Sequence, residues 1–72
     1  MTEDRVERRQ RQLLAKGYNR ELVKAGIEWA TASARGMAQH ATKSRAQQES
    51  LYGQLLGSYL EEAEVYIKRM AE

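Results

Sequence analysis

Apolar residues recur at spacings of three and four through three stretches of this chain, with polar joints between them. The last stretch has the clearest period: Tyr52, Tyr59 and Tyr66 stand seven apart, and Leu56, Ala63 and Met70 each follow a tyrosine by four. On a helix of about 3.6 residues per turn those six positions form one stripe. Leu55, Leu60 and Ile67 widen it, while Glu61, Glu64 and Lys68 fall opposite. The middle stretch carries a stripe of smaller side chains: Val23, Gly26, Ile27, Ala30, Ala34, Met37, Ala38 and Ala41. Small residues let a second helix come close, and the gain is dispersion over many short contacts. The tyrosine stripe is the bulkier complement, so the two are expected to face each other, within one chain or between chains.

Helix punctuation places the joints. Thr2 can cap a first helix with Glu3 and Asp4 in its opening turn, and Gly17 closes it, so it should span about residues 3 to 16. Asn19 then caps a second helix with Glu21 in its first turn. The next joint is less marked. Ser44 and Gln47 fit a capping box near residue 43, and this predicts helices at about 19 to 42 and 44 to 71. Gly57 before Ser58, with Glu61 three residues on, offers a second place to break. The apolar phase also runs through both joints, which allows one helix from 19 to 71, roughly 80 Å long and stable only inside a bundle. The turn near 43 is the preferred reading.

The predicted architecture is therefore all-α: a short N-terminal helix followed by a two-helix antiparallel hairpin, completed as a bundle by oligomerisation. Composition is why a partner is invoked. In 72 residues, Leu, Ile and Val together number 12, Ala alone is 10, and there is no Phe. A domain of this size buries only about 60% of its unfolded surface. Such domains usually need disulfides, a metal or a partner subunit, and without cysteine the first is excluded. A net charge of +2 is too low for the disordered class.

Charge is unevenly spread: +3 over residues 1 to 24, +2 over 25 to 48 and −3 over 49 to 72. Arg5, Arg9 and Lys16 line up on the first helix with Arg20 near them beyond the joint, a candidate phosphate-contacting patch. Asp4 to Arg8 and Glu7 to Arg11 are spaced as acid-first helix pairs, which favours a solvated face instead. Helix, short turn and helix also match the outline of a helix-turn-helix, with Asn19, Arg20, Glu21 and Lys24 leading its second helix. That outline is shared by most helical hairpins.

Catalytic chemistry finds no constellation. His40 is the one histidine, and without cysteine there is no two-residue soft-metal set or thiol nucleophile. Glu61, Glu62 and Glu64 point in different directions around a helix, and no glycine-rich phosphate loop is present. Neither catalytic residues nor a metal, cofactor or small-molecule substrate is implied. The charged first stretch is unlike a secretory signal, and no apolar run approaches the roughly 20 residues of a membrane span; a cytoplasmic location without membrane association is expected.

What the pattern implies is a non-enzymatic helical interaction protein, an oligomerising adaptor or regulator. Its expected interface is Trp29, Ala30, Ala34, Met37, Tyr52, Leu56, Tyr59, Ala63, Tyr66 and Met70, with a second copy or another helical protein as partner. Tyrosines where leucine would serve a dry core suggest hydroxyls at a wet rim. Gly53 and Gly57, opposite the tyrosines, offer room for a further backbone. The alternative is a small basic DNA- or RNA-binding transcriptional regulator using Arg5, Arg9, Lys16 and Arg20.

Overall fold

The computed structural model describes residues 2–71, with side chains from residue 5 onward. It is all-helical, with α1 at Thr2–Ala15, α2 at Arg20–Ala41 and α3 at Arg45–Ala71. The longest dimension, 39 Å, is the length of α3 at about 1.5 Å per residue.

Each joint is made by the residues that sequence chemistry requires. Gly17 takes φ +95°, the left-handed conformation open to glycine, and its amide donates to the Leu14 carbonyl at 3.0 Å as α1 closes. The capping expected of Thr2, with Glu3 and Asp4, lies outside the described side chains, as does the Asp4–Arg8 pair. Asn19 caps α2: its Oδ1 accepts from the Glu21 amide at 2.8 Å and the Leu22 amide at 3.4 Å.

The chain turns at Thr42–Ser44 without glycine or proline, because Thr42 is extended (φ −155°, ψ 153°) and side chains bridge the corner. The Ser44 amide donates to Thr42 Oγ1 at 3.2 Å, and Thr42 Oγ1 donates to Gln47 Oε1 at 2.6 Å. Gln48 Nε2 reaches the Thr42 carbonyl at 2.9 Å. Ser44 Oγ accepts from the Gln47 amide at 3.4 Å, the first half of the capping box. The reciprocal half is redirected, since the Gln47 side chain binds Thr42 rather than the Ser44 amide. α3 then runs unbroken through Gly57 and Ser58.

α2 and α3 pack closely along a seam of small residues against larger ones. Val23, Ala30 and Ala34 from α2 are fully buried, and so are Leu56, Ala63 and Ile67 from α3, with Ile27, Ala38 and Leu60 nearly so. The approach is close at Gly26. A Cβ there would lie 2.8 Å from Ile67 Cγ1, 2.9 Å from Ile67 Cδ1 and 3.3 Å from the Ala63 carbonyl.

The seam centre on α3 is Leu56, Leu60, Ala63 and Ile67, rotated from the tyrosine stripe that the heptad spacing suggests. Leu60 and Ile67, expected at its margin, are at its middle; Met37 and Met70, expected within the facing surfaces, are 51% and 48% exposed. Two overlapping stripes compete for one partner helix. The aliphatic one prevails because its side chains can be sealed without stranding a hydroxyl.

α1 inserts one fully buried side chain, Leu13, among the described residues. Val6, Leu14 and Tyr18 pack partly against the same core. Its position covers the flank of α3 that carries Gly53, Gly57 and Glu64.

Candidate interaction surface

The two flanks of α3 differ in chemistry. On the α1 side, Arg5 Nη1 donates to the Gly53 carbonyl at 2.9 Å and Arg9 Nε to the Leu60 carbonyl at 3.0 Å. The other Arg5 terminal nitrogen would stand 2.8 Å from a Cβ at Gly57. The glycine spacing that offered room for a further backbone is thus occupied by an arginine of the same chain.

Glu64, expected on a solvated face, is the centre of this flank. Its Oε1 pairs with Lys16 Nζ at 3.0 Å and Arg9 Nη2 at 3.5 Å, and its Oε2 accepts from the Tyr18 hydroxyl at 2.8 Å. The lysine and tyrosine hydrogen bonds hold its carboxyl below the usual carboxylate range. The same carboxylate raises the Tyr18 phenol, which would have to ionise against a hydrogen-bonded negative charge.

Three of the four cations in the candidate nucleic-acid patch, Arg5, Arg9 and Lys16, therefore turn toward α3; Arg20 opens α2 and is exposed. Arg8 and Arg9 still line a shallow groove with Arg5, Gln12, Gly57, Leu60 and Glu61. The Glu7–Arg11 pair does not close: among the described residues, the ion pairs are those made by Glu64.

The opposite flank is aromatic and uncovered by the described residues. Trp29 stacks on Tyr66 with centroids 5.0 Å apart and planes 9° from parallel. It meets Tyr59 edge-on at 5.6 Å and 82°. Such pairs are worth about 0.5–1.5 kcal/mol each beyond burial. Tyr52 is separate from this group, lying under the Arg35 guanidinium at 4.4 Å. All four rings are half-buried.

An open groove of about 350 Å³ beside them is lined by Trp29, Glu62, Val65, Tyr66 and Arg69. Val65 is 52% exposed there.

The expected interface residues thus divide. Ala30, Ala34, Leu56 and Ala63 lie in the hairpin's own seam, whereas Trp29, Tyr59 and Tyr66 lie on the uncovered flank, with Tyr52 beneath Arg35. Glu62, Val65 and Arg69 belong to the same surface and were not expected at the interface from the sequence: the two charged residues read as a solvated border, and Val65 falls outside the apolar stripe. A sharper signal was available: Glu62 has no cation three or four residues away on either side.

No cluster of histidine, acid or cysteine suited to a metal ion occurs among the described residues. No described helix is long and apolar enough to cross a membrane. The features define a small three-helix protein with one polar, occupied flank and one aromatic, open flank. No family model, curated protein or solved structure matches the chain.

Proposed function

We propose that this is a non-enzymatic helical interaction protein, an adaptor or regulator that acts by protein–protein binding and assembles as a helical bundle through the flank bearing Trp29, Tyr59 and Tyr66. What carries this reading is the asymmetry of the hairpin: α1 covers one side of α3, while among the described residues no helix lies over the side with the stacked rings. Tryptophan and tyrosine are the residue types most often found at the energetic centre of protein interfaces. Absence of cysteine suits a cytoplasmic setting.

Trp29 is the single tryptophan, so its fluorescence reports on this flank alone. Raising the protein concentration, or adding the true partner, should shift its emission to the blue and protect it from acrylamide, with a matching rise in mass by light scattering. A monomeric mass and unchanged quenching at every concentration would remove self-assembly.

The nucleic-acid reading draws less support, since Arg5, Arg9 and Lys16 direct donors into the chain itself. It requires salt-sensitive binding of DNA or RNA, and an anisotropy titration at low salt decides it.

A further inference from the structure

We propose that the groove formed by Trp29, Glu62, Val65, Tyr66 and Arg69 receives the same region of a second copy of this chain. The two α3 helices would run antiparallel about a two-fold axis at the level of Val65 and Tyr66, with Glu62 of each copy facing Arg69 of the other. This rests on the reading of the aromatic flank as a protein-binding surface and names its occupant.

Two observations select a second copy. The first is charge. The groove is walled by one acid and one base, both exposed, and neither has an ionic partner among the described residues. They stand seven residues apart on one helix, roughly 10 Å along its axis. A surface with one charge of each sign, at equal distances from a midpoint, is complementary to itself when turned through a half circle, as an isologous contact requires. The midpoint falls between Val65 and Tyr66, so apolar side chains meet at the axis and opposite charges meet on either side of it.

The second observation is the apolar centre. Val65 is 52% exposed and lines the groove beside Trp29 and Tyr66, whose rings are stacked. Rings at the middle and charges at the rim are the usual arrangement of a specific interface.

The test uses charge reversal in trans. Wild-type protein should show a concentration-dependent dimer by sedimentation equilibrium. Glu62→Arg places arginine against arginine across the axis, and Arg69→Glu places glutamate against glutamate. Each variant alone should associate at least about tenfold more weakly. An equimolar mixture of the two restores both attractive pairs, and should dimerise to within about threefold of wild type. Circular dichroism shows that each variant keeps its helices, and recovery in the mixture excludes misfolding as the cause of the single losses.

A mixture that stays monomeric while both variants are helical overturns the proposal. If wild type still dimerises in that case, the assembly uses another surface and the interaction reading survives. If wild type never exceeds a monomer mass, docking of a second copy is overturned, and only a foreign partner is left for the flank.

Discussion

Glu64 joins residues from three parts of the chain, and its protonation sets a pH window for α1. Its carboxyl is depressed in the folded chain, so the stability it contributes is fully present above the ordinary carboxylate range, about pH 4 to 5, and is lost as pH falls through the lower folded value. Tyr18 works in the opposite sense. Its phenol is raised, so its contribution is fully present below about pH 10 and is lost as pH climbs through the higher folded value. Melting temperature against pH should therefore fall at both extremes. Glu64→Gln should lower the plateau and flatten the acid limb, which scanning calorimetry can check. None of this was legible in the sequence. Glu64 lies opposite the apolar stripe, and periodicity distinguishes a wet face from a dry one without saying that another helix will lie across it. The fact that Arg5, Arg9 and Lys16 share a face was legible; their target was not, because it consists largely of carbonyls and glycines on a helix some fifty residues away.

At the level of elements, the joints were the most readable part, since each depends on local chemistry. Asn19 and Gly17 sit where capping and left-handed geometry require them, and Asn19→Ala should cost about 1 kcal/mol in urea unfolding. The seam was less readable, because two stripes share α3 and a seven-residue spacing drifts about 20° per repeat on a straight helix. Truncation separates them. Leu60→Ala, at a side chain 5% exposed, should cost about 2–5 kcal/mol, while Met70→Ala should stay within about 0.5 kcal/mol. The alanine stripe of α2 was read correctly as an invitation to close approach, and at Gly26 there is no room for a side chain. Gly26→Leu should cost about 1–3 kcal/mol by forcing Ile67 and the α3 backbone aside, measurable as a lowered urea midpoint with an unchanged slope.

For the molecule as a whole, the charge gradient along the sequence becomes an internal attraction. The basic first third folds onto the acidic last third, with Arg9 and Lys16 reaching Glu64. α1 is fastened mainly by polar bonds at partly wet sites and by Leu13, whereas α2 and α3 share an almost continuous dry seam. Opening free energies follow buried contacts. Amides of α1 should therefore exchange with deuterium well before those of the seam, and sooner still as added salt screens the Glu64 pairs.

The notch at Gly26 also fixes how the hairpin can move. Ile67 projects into the space left by the absent side chain, so the two long helices interlock like a tooth and its gap. Sliding α3 by one helical turn, about 5.4 Å, would carry Ile67 out of that gap and toward Leu22 or Ala30, where a side chain already stands. That contact opposes longitudinal slippage, and the corner at Thr42–Ser44 ties the two helices together at one end. The same notch thus helps to set the offset between Trp29 on α2 and the rings of Tyr59 and Tyr66 on α3.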